Sequence, residues 1–142
     1  MDMNVIYQIN YWAVLLASVV YFIIGALWFA PTFLGTMWKR ELEAHRVPLL
    51  GVSSEKMILT MGVTFVSCIL SAFGLAWLIY ITGCATALSG FVLGCIISAF
   101  FVVPTVATIF VWENRSINLF LIDVGYPVIG IIVSAMILTL WQ

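Results

Sequence analysis

Trp112-Glu113-Asn114-Arg115-Ser116-Ile117-Asn118-Leu119-Phe120-Leu121-Ile122-Asp123-Val124-Gly125-Tyr126-Pro127 is the stretch that decides how this chain folds. The run before it, from Met57 to Trp112, holds no Asp, Glu, Lys or Arg. Glu113 to Ser116 is short and polar and reads as a tight turn, with Ser116 a suitable cap for a following helix. The apolar sequence then resumes to Trp141, interrupted by one ionisable residue, Asp123.

The composition fixes the class. The chain is 65% hydrophobic and 8% charged, with a mean hydropathy of +1.23. A soluble domain carries about 25% charged residues. A helix needs roughly 20 apolar residues to cross a bilayer. Four stretches qualify, at about 11–30, 57–82, 86–112 and 117–141. The long run divides at Thr82-Gly83-Cys84-Ala85, where small residues permit a turn. Barrel strands alternate apolar and polar residues, and these runs do not. The expectation is an all-α polytopic membrane protein, a single domain over residues 1–142, with four transmembrane helices in an antiparallel bundle.

Charge placement gives an orientation. Lys39, Arg40, Arg46 and Lys56 fall between the first and second spans, and Arg115 between the third and fourth. The positive-inside rule puts loops 32–56 and 113–116 in the cytoplasm and both termini outside, in a plasma (inner) membrane. Trp12, Trp77 and Trp141 then lie near the outer ends, and Trp28, Trp38 and Trp112 near the inner ones, as interfacial indoles do. Met1 to Ile9 lacks the basic region of a signal peptide, so the first span reads as retained.

The first helix reads as capped by Asn10 and closed by Trp28-Phe29-Ala30-Pro31. In the loop after it, Leu34, Met37, Trp38 and Leu42 recur at helical spacing, which predicts a short interfacial helix. Pro48 to Ser54 reads as the turn into the second span, with Ser53 or Ser54 as its cap. Small residues mark packing faces between helices in lipid. Ala13, Ala17, Tyr21 and Gly25 form one such face, Thr60, Thr64, Cys68, Ala72 and Ala76 a second, and Thr86, Gly90, Gly94 and Ser98 a third. Pro104 predicts a kink in the third helix, with Thr105 and Thr108 placed to satisfy exposed backbone.

The search for chemistry narrows quickly. His45 is the only histidine and reads as solvated. Cys68, Cys84 and Cys95 form no metal-binding pattern, so no metal and no cofactor is expected. The few basic residues lie beside the membrane, which suits anionic lipid and excludes nucleic acid as a partner. Asp123 remains, because an ionisable residue within a span is a functional candidate by default. If the helix begins at Ser116, Pro127 frees the carbonyl of Asp123 beside its carboxylate, a pair suited to a cation or a proton, and Gly125 between them adds backbone freedom. The alternative is that Asp123 caps a shorter helix from Val124 to Trp141, with Arg115 or a basic residue of the first loop as its ion-pair partner.

The sequence resembles the family listed as domain of unknown function 1761. The resemblance rests on Asn10-Tyr11-Trp12, Gly25-Ala26-Leu27-Trp28-Phe29-Ala30-Pro31, Gly90 and Gly94, Glu113-Asn114-Arg115-Ser116, Leu119 to Tyr126, and Ile137-Leu138-Thr139-Leu140-Trp141. It implies the four-helix topology and no established activity. This chain has Asp123 where the family pattern has Asn, and Pro127 where it has His. The resemblance therefore implies a polar residue at 123, together with Glu113, Arg115 and Ser116, as the shared feature.

The expected function is a homo-oligomeric channel or carrier for a small ion or solute, more readily than an enzyme. Asp123, Tyr126, Glu113, Arg115, Ser116, Thr105 and Thr108 are its pathway candidates, and Gly25, Gly90, Gly94 and Ser98 its packing residues. The alternatives are an accessory subunit of a larger membrane complex with a protein partner, and an enzyme or binding protein for lipid or quinone.

Overall fold

Each helix boundary follows from a local signal. The computed structural model describes residues 5–45 and 54–141. The turn from Pro48 to Ser53 and the side chain of Arg46 lie outside the described residues. A short α1, Val5–Gln8, precedes α2, Tyr11–Trp28. Asn10 caps α2: its Oδ1 accepts from the amides of Trp12 at 3.1 Å and Ala13 at 3.2 Å. A turn through Pro31 leads to α3, Gly35–Ala44, and α4 follows as Ser54–Thr82. Gly83 ends α4 at φ +66°, in the left-handed region that glycine adopts without strain. The amide of Cys84 then reaches back to the carbonyl of Ile79, closing the helix end. Thr86 and Ser89 form a reciprocal capping box at the start of α5, Ala87–Ile97.

The third span is not one α-helix. It runs as α5, a π-helical turn at Ser98–Val102, and α6 at Val103–Trp112. Pro104 falls in the first turn of α6, where its missing N–H costs little. The ladder widens just before it, and the Val103 amide donates to the Ser98 carbonyl. Thr105 and Thr108 donate to the carbonyls of Phe101 and Pro104. Asn114, at φ 51°, closes α6 as Gly83 closes α4, with the Arg115 amide on the Phe110 carbonyl. Ser116 then caps α7, Ile117–Leu140, accepting from the Leu119 amide at 3.2 Å. Asp123 therefore lies inside α7 and caps nothing.

The described elements are all helical, and four spans are long and apolar enough to cross a membrane: 11–28, 56–82, 87–112 and 117–140. α7 packs against α2, α4, α5 and α6 and also touches α3. Its seam with α2 is built from aromatic rings laid on glycines. The Tyr21 ring covers Gly130, the Tyr126 ring covers Gly25, and the Trp28 ring covers Gly125. A β-carbon would lie 2.7 Å from Tyr126 at Gly25 and 2.6 Å from Trp28 at Gly125. Partners on α2 rise in number as those on α7 fall. Against α5 the order is likewise reversed, with Gly90 on Ala135 and Thr139 and Gly94 on Ile132. Ser98 is buried one turn further along. The face of Ala13, Ala17, Tyr21 and Gly25 is buried throughout, whereas on α4 burial holds for Cys68, Ala72 and Ala76 but not for Thr60.

Gly130→Ala is expected to lose about 1–3 kcal/mol of stability, because the new methyl overlaps the Tyr21 ring. Gly62→Ala, in the interior of α4 where the space is open, is expected to gain about 0.5–1 kcal/mol from helix propensity. Denaturant unfolding of both variants in mixed micelles checks the contrast.

Candidate functional site

The three segments on which the candidate site is built meet where the end of α2, the turn to α3 and the start of α7 come together. Trp28 fixes the first contact: its indole N–H donates to the carbonyl of Ile122 at 2.9 Å while its ring lies on Gly125. The chain then turns back on itself. The Leu34 amide donates to the Trp28 carbonyl at 3.3 Å and the Gly35 amide to the Ala30 carbonyl at 3.0 Å. Gly35 lies so close to the backbone of Phe29 and Ala30 that no side chain fits there. This turn lays α3 along the first turns of α7.

Asp123 receives its partner from α3. The Trp38 indole N–H donates to Asp123 Oδ1 at 2.8 Å. Phe29 stands edge-on to Trp38 at 5.2 Å and to Tyr126 at 5.8 Å. Tyr126 packs on Tyr21 with centroids 5.3 Å apart, and its hydroxyl lies 3.5 Å from Cys68 Sγ. The Tyr21 hydroxyl donates to the Pro127 carbonyl at 3.4 Å. Among the described residues no Lys, Arg or His forms an ion pair with Asp123. Pro127 leaves the Asp123 carbonyl without its helical donor. The half-buried carboxylate can thus take up a proton or a cation without first giving up a salt bridge.

A second carboxylate fastens α3 nearer its end. Glu41 Oε2 accepts from the Ser116 hydroxyl at 2.6 Å, and Oε1 from the Asn118 amide at 3.4 Å. These two donors hold the Glu41 carboxyl below the ordinary glutamate range, with smaller help from His45 and Arg40. Its negative charge also sits at the positive end of α7. Leu42 is buried between Phe110 and Leu119.

The other sequence candidates have separate places. Arg115 pairs with Glu113 at 2.5 Å and lies over the Phe110 ring at 5.5 Å, so the basic partner considered for Asp123 is engaged elsewhere. Thr105 and Thr108 are exposed on α6, and their hydroxyls return to their own helix. His45 is exposed at the end of α3, with Nδ1 2.9 Å from the Glu41 carbonyl. Among the described residues no three His, Cys, Asp or Glu side chains cluster as a metal site.

Sequence reasoning missed the roles of Trp38, Trp28 and Glu41. Trp38 and Trp28 read as interfacial anchors, and each instead spends its N–H on α7. Glu41 carried one overlooked signal: it stands three residues after Trp38, on the face that also carries Leu42. Gly125 read as a source of backbone freedom, but its missing side chain makes room for Trp28.

The profile of the family described as "Protein of unknown function (DUF1761)" matches residues 12–139, and the chain belongs to that family. No curated protein and no solved structure matches the chain significantly. Gly25, Trp28 and Phe29, and the stretch from Glu113 to Tyr126, which carry much of the family resemblance, border this one corner of the fold.

Glu41 supplies a pH signature. Its folded-state pKa is depressed, so its stabilisation is complete above the unfolded value near ~4.3 and is lost as pH falls through the folded value. The native chain is expected to melt higher than Glu41→Gln near pH 7. The gap should close progressively below about pH 4. Thermal melts in detergent across that range check it.

Proposed function

We propose that the protein is a homo-oligomeric channel or carrier for a small cation or proton, with the Asp123 carboxylate as its binding group. The observation that carries this reading is a half-buried carboxylate inside a membrane-spanning helix, bonded to an indole rather than an ion-pair partner. Keeping a charge there is costly, and a structural hydrogen bond to Trp38 needs only a neutral oxygen. Beside it is the Asp123 carbonyl, relieved of its donor by Pro127, while the Tyr126 hydroxyl lies deeper in the bundle against Cys68.

In this reading α3 lies along the cytoplasmic interface of an antiparallel bundle whose termini face outward. The basic residues of the chain all fall on the α3 side. Glu113, Arg115 and Ser116 stand at the inner mouth. The path runs between copies of the chain. Of two clefts, one lies among Gln8, Tyr80 and Trp141 and the other among Phe110, Arg115 and Phe120, and Asp123 lines neither. A neighbouring copy would bring the exposed Thr105 and Thr108 to the path.

Purified protein in liposomes is expected to pass sodium, potassium or protons in dye-based flux assays. Asp123→Asn retains an oxygen for Trp38 but removes the charge. It is expected to lower flux about tenfold or more, and Asp123→Leu to abolish it, with the oligomer on native mass spectrometry unchanged. Flux that survives both substitutions sinks the role of Asp123.

A further inference from the structure

We propose that α3 is a hinged latch that covers Asp123 from the aqueous side and opens as a unit while the rest of the bundle stays folded. That the latch controls an ion rests on the function proposed above; the latch itself rests on geometry alone. Its fastening is of a different kind from the rest of the fold. The spans are joined by backbone approach over Gly25, Gly90, Gly94, Gly125 and Gly130, which water cannot replace. α3 is fastened by polar groups as well as by packing: the Trp38 indole N–H on Asp123, and Glu41 on Ser116 and Asn118. Water can substitute for each of these. The apolar support of α3 comes from Leu42, buried against Phe110 and Leu119, and from the half-buried Trp38 ring on the same cluster and on Phe29, while Lys39, Arg40 and Glu43 face outward. Segments with few buried apolar contacts and exchangeable hydrogen bonds open first.

The hinge is the turn from Phe29 to Gly35. It is fixed to α2 and α7 through Trp28, so α3 can swing without disturbing the α2–α7 seam. The polar contacts also give the latch a sense. Trp38 points the positive end of its N–H at the carboxylate that a cation would approach. Indole and cation compete for Asp123, so a bound cation favours the open position by its differential affinity for the two states.

The test is hydrogen–deuterium exchange of the full chain in nanodiscs, read by mass spectrometry. The α3 amides are expected to exchange faster than those of α2 and α7 in the native chain. Glu41→Gln and Trp38→Phe should each speed α3 about tenfold and leave the lower half of α7, from Ile131 to Leu140, unchanged. A thiol reporter adds an independent reading. With the native cysteines replaced by alanine, Leu119→Cys, buried beneath Leu42, should react with N-ethylmaleimide faster in the Glu41→Gln background. Ala135→Cys, buried in the main core, should not. Exchange of α3 in step with α7, or equal labelling at the two reporters, overturns the latch. Replacing choline chloride by sodium or potassium chloride separates the two ideas: local opening that no salt changes upholds the latch and removes the cation reading.

Discussion

The fold depends on how closely α2 and α7 approach. Inside a bilayer, lipid tails are as apolar as leucine, so burial from water does not hold two helices together. What does is dispersion across a dry, tightly fitted surface. Here the fit comes from rings on bare backbone: Tyr21 on Gly130, Tyr126 on Gly25 and Trp28 on Gly125. The contacts alternate in direction, with α2 supplying a ring, then a glycine, then a ring. Neither helix can slide or rotate without driving a ring into a backbone. That constraint reaches the candidate site directly, because the last contact also seats the Trp28 N–H on Ile122. The turn that follows hangs α3 from this point. The position of Trp38 over Asp123 is thus set by packing at Gly125, Tyr126 and Gly130, further along α7.

What could be read in the sequence was what is local. Hydropathy located the four spans to within a few residues, since length and composition alone decide them. Asn10, Ser116 and the turn at Gly83 were legible because capping and left-handed turns involve neighbours in the chain. The site was legible only by half. Asp123 announced itself as a charge in an apolar run, but its partner lies 85 positions away in the chain. No periodicity encodes such a pairing. Gly125 misled for the same reason: a glycine beside a proline suggests flexibility, and only the fold shows the ring that occupies its missing side chain. The third span was legible in part: Pro104 marked an irregularity, and the fold shows its form, a π-helical turn that places Pro104 at the start of a new helix.

That π-helical turn and Pro127 belong together. The pairing of Gly90 with Ala135 and Thr139, and of Gly94 with Ile132, sets a register in which each step up α5 is a step down α7. Continued by one turn, it brings Ser98 level with the stretch just after Pro127. The π-helical turn and the helical donor missing at Pro127 therefore lie at one height, on helices that face each other, although α7 itself runs through Pro127 as continuous α-helix. Irregular backbone at membrane depth is tolerated where protein rather than lipid covers it. Ser98 is fully inside, and its hydroxyl is without a partner among the described residues. Within the π-helical turn only Ser98 is turned inward, while Phe100 and Phe101 are exposed on the outside of the bundle.

The same geometry explains why position 123 can hold either an amide or a carboxylate. The resemblance noted in the sequence implies asparagine there, and this chain has aspartate. The Trp38 N–H requires an oxygen on the side chain at 123, and both residues offer one at the same reach. The hydrogen bond accordingly accounts for a polar residue but not for a charged one. A neutral amide would satisfy the indole without the cost of holding a carboxylate within a span. Among the described residues no ion pair with Asp123 repays this cost: Arg115 is paired with Glu113 and faces the Phe110 ring, and its charge reaches Asp123 only at longer range. Pro127, four residues on, removes a helical donor from the carbonyl of the same residue. Asp123 and Pro127 thus act on one spot, placing a negative charge beside a carbonyl without its helical donor, which is the combination the proposed cation would use and an indole does not need.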